Sequence, residues 1–191
     1  MQADSTEEKN ASAANAVADA GDAVVIRRGT AEGVLTPATK EDFDYINANL
    51  RPDDKYEQDY FAARCGGKVD SPGMFEKSWT LRLRGEIVGY VAIQLAAGQN
   101  IMSPARFIPM LSTTNVLHHP TDFARLSRPI LAYVASQAPA WVTEFYSIPI
   151  LRYAASVRWH EKTMKWHRLF DFDADGERAA LFKITRKELE K

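Results

Sequence analysis

The chain has 191 residues, 46% of them hydrophobic and 26% charged, with 24 basic against 25 acidic side chains and a formal net charge of −1. This balance describes one soluble domain able to fill a core, and it argues against a dedicated nucleic-acid or anionic-membrane binder, which needs a basic excess. The single cysteine, Cys65, excludes an intramolecular disulfide and a multi-cysteine metal site. No apolar run approaches the roughly 18 residues of a membrane span, and the N-terminus lacks a secretory core, so a cytoplasmic protein is expected.

The near-zero charge conceals an asymmetry. Residues Met1 to Asp22 hold Asp4, Glu7, Glu8, Asp19 and Asp22 against Lys9, a net −4 that leaves +3 for the rest. Rich in Ala, Ser and Asn, this stretch cannot bury enough surface to offset chain entropy and is expected to be a disordered or partner-ordered tail. A single domain is expected from residue 23 to residue 191.

Ala23 to Arg28 reads as the first strand, a β-branched run stopped at Gly29. Thr39 is an N-cap candidate for a helix from Lys40 to Leu50, with Glu41 and Asp42 in its first turn. After Pro52 a second helical pattern covers Asp53 to Cys65 and ends at Gly66-Gly67, and Lys68 to Gly73 reads as loop. Cys65 is expected to be a buried structural thiol. Trp79 to Arg84 alternates apolar and polar residues and, with Ile87 to Leu95, predicts a hairpin turning at Gly85. A turn at Ala96 to Asn100 leads to a strand from Arg106 to Leu117, in which Pro109 implies a bulge or a strand start.

Pro120 and Asp122 open a helix from Thr121 to Gln137, with Phe123, Leu126, Ile130, Leu131 and Val134 on its apolar face. Trp141 to Ile148 reads as a buried strand, Ile150 to Arg168 as a long helix, and Phe170 to Thr185 as a closing hairpin turning at Asp173 to Gly176. Strands interleaved with helices predict an α/β or α+β fold with a mixed sheet.

This order resembles that of the GNAT superfamily of N-acetyltransferases, from Ala23 to about Lys187. Leu83-Arg84-Gly85-Glu86-Ile87-Val88-Gly89-Tyr90 looks like that superfamily's second and third strands, and Arg158-Trp159-His160-Glu161-Lys162 looks like the Arg-Leu-Tyr-Glu-Lys segment of its last helix. The resemblance implies a mixed sheet of about six or seven strands flanked by about four helices, with acetyl-CoA as acyl donor and an amine as acceptor. It also implies Glu144 as a base on the fifth strand, and His160, at the motif's tyrosine position, to reprotonate the departing thiolate, with Tyr146 and Tyr153 nearby in sequence as alternatives.

The superfamily's diphosphate loop, Arg/Gln-x-x-Gly-x-Gly/Ala, needs glycines so that backbone N–H groups can approach the anion at a helix N-terminus. The corresponding stretch, Val116 to Arg128, contains no glycine and places Asp122 and Phe123 there; Val116, Arg125, Ser127 and Arg128 are left as candidate cofactor-binding residues. The downstream Gly-Phe pair is replaced by Met164-Lys165, or by Lys165-Trp166 with one insertion. The missing loop, together with the Thr/Ser-rich segment Leu111 to Val116, resembles phage- and prophage-encoded GNAT-like proteins, some of them associated with virion morphogenesis. An inactive interaction protein, in the host cytoplasm if phage-encoded, is therefore the alternative to an enzyme.

His118-His119 reads as a polar strand-to-helix junction with one histidine capping, and His160 and His167, about 10 Å apart by helical rise, are too far apart for one metal. Arg158, Lys162, Lys165 and Arg168 have the spacing of one helix face, either solvated with a Glu161–Lys165 pair or turned to an anion such as the acidic tail of the chain itself or a CoA 3′-phosphate. Trp79, Trp141, Trp159 and Trp166 are expected in the core, in a groove or as an interface anchor.

Overall fold

The computed structural model describes residues 17–20, 23–51, 75–95, 106–107, 110–174 and 176–191. The expected helix at 53–65 with Cys65, the loop at 68–73, the turn at 96–100 and Pro109 lie outside these residues, as does most of the expected tail.

The strands are β1 (Val17–Ala20), β2 (Ala23–Arg28), β3 (Ala31–Pro37), β4 (Phe75–Leu83), β5 (Glu86–Leu95), β6 (Arg106–Phe107), β7 (Met110–Ser112), β8 (Glu144–Ser147), β9 (His167–Ala174) and β10 (Glu177–Thr185). They form one sheet in the order β1-β2-β3-β4-β5-β6-β8-β10-β9, with β7 on β5. Among the described residues every strand pairing is antiparallel except that of β6 with β8. The helices are α1 (Lys40–Asn49), α2 (Pro120–Ser136), α3 (Ala154–Arg158) and α4 (Arg186–Leu189).

β2 ends at the expected residue because Gly29 takes φ +61°, and the chain turns back into β3, which the sequence reading did not separate from the helix start. Residues 17–20, placed in the tail by composition, pair with β2 as β1. The Gly85 hairpin forms as expected, with Arg84 at φ 49° and Gly85 at φ 86°. Positive φ at both central residues is the twist-matched turn for a two-residue hairpin.

Thr39 caps α1 by accepting from the Asp42 N–H at 3.2 Å, and the Asp42 carboxylate accepts the Thr39 N–H at 3.2 Å. This capping box satisfies two donors that the first turn of a helix leaves unpaired. The apolar side of α1, through Ile46 and Phe43, packs on Tyr90, Ala92 and Leu111. On the opposite face of the sheet, Leu126, Ile130, Leu131 and Val134 of α2 cover Leu35, Leu81, Leu83, Val91 and Phe145. β5 serves both cores, with Val91 and Ile93 in one and Tyr90 and Ala92 in the other, because side chains alternate across a strand.

Three expectations shorten. The strand expected at 106–117 ends at Ser112, since Thr114–His118 winds into a 3-10 turn that leaves Leu117 66% exposed. The strand expected at 141–148 begins at Glu144, with Trp141 exposed. The helix expected at 150–168 is only α3 followed by a π turn at Trp159–Thr163.

The π turn lies within the segment that resembles the superfamily's last-helix motif. A π turn spends one extra residue on a single turn. The Met164 N–H reaches back to the Trp159 carbonyl at 2.9 Å, and Lys165 then takes φ 56°, the left-handed conformation that glycine adopts without cost.

Candidate functional site

The sheet parts between β7 and β8. Among the described residues, β6 and β8 share one register pair, Phe107 with Tyr146, while β7 stays on β5 through Gly89–Ser112, Tyr90–Leu111 and Val91–Met110. Gly89 allows that close approach, because a Cβ there would stand 2.4 Å from the Leu111 carbonyl oxygen. Two parallel strands that separate beyond one pair leave backbone and side chains facing a wedge, the kind of concave place where ligands bind in such sheets.

The connection from β7 to α2 is folded tightly. The Val116 N–H donates to the Thr113 carbonyl at 3.2 Å, and the Val116 carbonyl accepts the His119 N–H at 3.0 Å. Both polar backbone groups of Val116, a candidate for cofactor contact, are therefore engaged inside the turn, and its side chain is buried. His119 occupies the N-cap of α2 without a side-chain cap; instead both histidines bond Glu86 Oε2, His118 at 3.1 Å and His119 at 3.0 Å. These bonds, His118 first, hold the exposed Glu86 carboxyl below its usual value. Among the described residues no cluster of three or more His, Cys, Asp or Glu side chains could hold a metal ion.

Asp122 stands in the first turn of α2, where an acidic group is favoured by the helix dipole, and accepts from Arg84 Nη2 at 3.1 Å. Arg125 is exposed, and its carbonyl accepts Arg28 Nη1 at 3.4 Å. Arg28, Arg84 and Arg125 thus bring three guanidinium groups to the first two turns of α2. Ser127 and Arg128 are placed differently. The Ser127 hydroxyl is buried and donates to the Phe123 carbonyl at 2.7 Å, while accepting from Trp159 Nε1 at 3.3 Å. Arg128 donates to the carbonyls of Met164 and Glu188, tying α2 to the C-terminal segment.

On β8, Glu144 accepts from Tyr146 Oη at 3.0 Å and from Lys183 Nζ on β10 at 3.1 Å. This hydrogen bond, with the attraction of the carboxylate, raises the lysine's pKa. Glu144 and Tyr146 thus meet, two residues apart on one face of the strand, as alternation requires.

His160 lies in the π turn, buried among the rings of Trp159, Trp166 and Phe182 at centroid distances of 4.9, 5.6 and 5.2 Å. Its Nδ1 is 2.8 Å from the Ser156 carbonyl and its Nε2 2.8 Å from Ser147 Oγ. A carbonyl only accepts, so Nδ1 carries the ring proton. Burial lowers the pKa to about 4, so the ring is neutral and Nε2 accepts from the serine hydroxyl. In this state His160 has no proton on Nε2 to give to a thiolate.

The expected basic stripe does not share a helix face. Arg158 closes α3, Lys162 sits in the π turn, Lys165 is in the left-handed residue after it, and Arg168 is on β9. Arg168 pairs with Asp171 at 2.8 Å and Glu161 at 3.2 Å, so the expected Glu161–Lys165 pair is replaced by Glu161–Arg168. His167, also on β9, meets Glu188 Oε1 at 2.6 Å.

Ser147, Ser156, Lys183, Arg84 and Glu86 escaped the sequence reading. Arg84 and Glu86 flank a recognisable hairpin glycine, but nothing local in the sequence couples Ser147 to a residue thirteen positions later.

No protein-family model and no curated protein matches the chain. Solved structures match its fold. The aminoglycoside acetyltransferase AAC(6')-Ib in complex with coenzyme A superposes with a TM-score of 0.59 at 16% identity, covering 83% of this chain and 97% of that one. The aminoglycoside N(6')acetyltransferase of Legionella pneumophila subsp. pneumophila str. Philadelphia 1 gives 0.55 at 12% identity, over 83% and 94% of the two chains. The GNAT domain of S. lividans PAT gives 0.57 at 11% identity, over 81% and 90%. At these identities the likeness shows the fold, and the mixed sheet with its flanking helices is the GNAT fold.

Proposed function

We propose that this GNAT-fold chain is an acyl-CoA-dependent N-acyltransferase that uses acetyl-CoA as donor and an amine as acceptor, with the wedge between β7 and β8 as its donor site. The parting of the sheet, in which Phe107–Tyr146 is the one β6–β8 pair among the described residues, is the observation that carries the reading. Solved structures of the same fold contain coenzyme A and the aminoglycosides kanamycin and ribostamycin, which supports a thioester donor and an amine acceptor.

The donor's diphosphate would be met by side chains rather than by a backbone cradle. Asp122 already occupies the α2 N-terminus, so an anion would be met by exposed Arg125 and by Arg84, which is exposed and would have to exchange its Asp122 partner for it. In this reading Glu144 takes the amine's proton as nitrogen attacks the thioester carbonyl, a role supported by its position on β8 beside the wedge. A cationic acceptor competes with Lys183 for Glu144, which makes release of the Lys183 pair part of acceptor binding.

Titration of acetyl-CoA calorimetrically, followed by chromatographic detection of amide product over a panel of amines that includes kanamycin, tests the proposal. Saturable binding weakened by R84A and R125A, with turnover lowered about 100-fold by E144Q, is expected. An absence of binding at millimolar donor overturns it.

One observation favours a second reading. The tight turn at 114–118 and the Arg84–Asp122 pair engage the start of α2 within the chain itself, which supports an inactive scaffold. The narrower likeness to phage- and prophage-encoded proteins, including a part in virion morphogenesis or a partner held by the acidic tail, belongs to that reading and rests on the glycine-free segment and the Thr/Ser-rich stretch before it.

A further inference from the structure

We infer that the hydroxyl of Tyr45 on α1 binds the diphosphate of the acyl donor, supplying from a side chain a hydrogen bond that the glycine-free segment before α2 does not offer from its backbone. This rests on the acyl-CoA reading above.

The end of α1 lies at the rim of the wedge. β5 holds one edge of β7, and the chain leaving α1 runs along the other: Leu50 bridges Thr113 in the antiparallel sense, and the Arg51 N–H donates to the Ser112 carbonyl at 3.0 Å. Tyr45, about one helical turn before the last residue of α1, therefore stands over the connection from β7 to α2 and bonds Asn115 within it. The residue is 40% exposed, and this hydrogen bond lies at the surface.

Proton positions single out this hydroxyl. Asn115 is 3.0 Å from the Ile87 carbonyl, which only accepts, so the atom there is Nδ2, and the same nitrogen donates to Tyr45 Oη at 2.8 Å. The phenol thus accepts from Asn115 and keeps its own proton, for which no acceptor stands among the described residues. Neighbouring groups have spent theirs. His118 Nδ1 and His119 Nε2 both face Glu86 Oε2, a carboxylate that only accepts, so each ring proton is used there and the second nitrogen of each neutral ring is an acceptor. The Thr113 hydroxyl donates to the Ile87 carbonyl at 2.9 Å, and the N–H groups of Val116 and His119 close the turn itself. An O–H anchored through its own oxygen, with its proton unspent, suits a phosphate oxygen, to which such a bond is short and charge-assisted. Arg84 and Arg125 would add charge to the same anion, and Tyr45 would fix its place.

Y45F keeps the ring and removes only the hydroxyl, so its melting temperature is expected near wild type. In calorimetric titration of the full chain, acetyl-CoA is expected to bind Y45F about tenfold more weakly, the effect of losing one hydrogen bond to a charged group. Inorganic pyrophosphate, added as a competitor, carries only the phosphates and is expected to lose affinity by the same factor. Unchanged acetyl-CoA affinity in folded Y45F overturns the inference and leaves the acyl-CoA reading standing. A loss for acetyl-CoA that pyrophosphate does not share overturns the assignment to the diphosphate. Failure of the wild type to bind acetyl-CoA overturns the acyl-CoA reading and this inference together.

Discussion

Arg84 Nη2 meets Asp122 Oδ2 at 3.1 Å, so the turn of the β4–β5 hairpin is fastened to the first turn of α2. The pair places a carboxylate where the dipole of α2 would otherwise favour an incoming anion. Removing that charge in D122N leaves the dipole and Arg84 available, and acetyl-CoA affinity is expected to rise about two- to fivefold, the range of a single charge at a helix N-terminus. R84A is expected to lower it. Calorimetric titration of both variants at one ionic strength checks the sign.

Acid stability should report His160. The folded chain protonates this ring near pH 4 and the unfolded chain near 6.5, so below 6.5 unfolding takes up a proton that the folded state refuses. Stability is therefore present in full above about 6.5 and falls as the pH drops toward about 4, by on the order of 3 kcal/mol in all. Asp42, Glu86 and Glu188, whose pKa values are lowered, add losses only below the ordinary carboxylate range. Urea titrations between about pH 6.5 and 5 should thus show a slope for wild type and a flatter profile for H160Q.

Lys165 holds a left-handed conformation at φ 56° as the chain leaves the π turn. A side chain there costs roughly 1 kcal/mol that glycine avoids, offset in part by the greater freedom of glycine when unfolded. K165G is expected to raise the melting temperature without altering the His160 surroundings. A fall in melting temperature would show that the lysine side chain contributes more than its backbone costs.

Asp42 binds α1 to the sheet. Its carboxylate accepts from Arg82 Nη2 at 2.6 Å, from Thr80 Oγ1 at 2.9 Å and from the Thr39 N–H. Burial pushes its pKa up, but these bonds together outweigh burial and hold it below the usual aspartate value. D42A removes the cap and leaves Arg82 without its carboxylate, so a loss of about 3 kcal/mol is expected in denaturant titrations, and D42N should recover only part of it.

The elements that formed where the sequence placed them carry their signals within a few residues. Gly85 specifies its hairpin, Thr39 with Asp42 specifies the start of α1, and the apolar positions of α2 repeat with helical spacing over four turns. The fold class followed from the order of such elements. The second strand of the β2–β3 hairpin was less legible, because Gly33 interrupts its pattern and Pro37 reads equally well as a helix approach. The helix expected to run from Ile150 to Arg168 failed for a related reason: periodicity counts apolar residues but does not register the extra residue of a π turn.

Sequence alone determined the candidates of the site, while tertiary packing assigned their partners. Glu144 and Tyr146 meet because strand alternation puts them on one face, a local rule that the sequence carries. Ser127 and Arg128, which looked available to a cofactor, were drawn into packing by Trp159, Met164 and Glu188 from other elements. The hydrogen bonds of His160 depend on a carbonyl one turn back and on the Ser147 hydroxyl of another element. Local propensity and periodicity are short-range properties of the chain, whereas burial, tautomer and charge pairing arise only when distant segments share space.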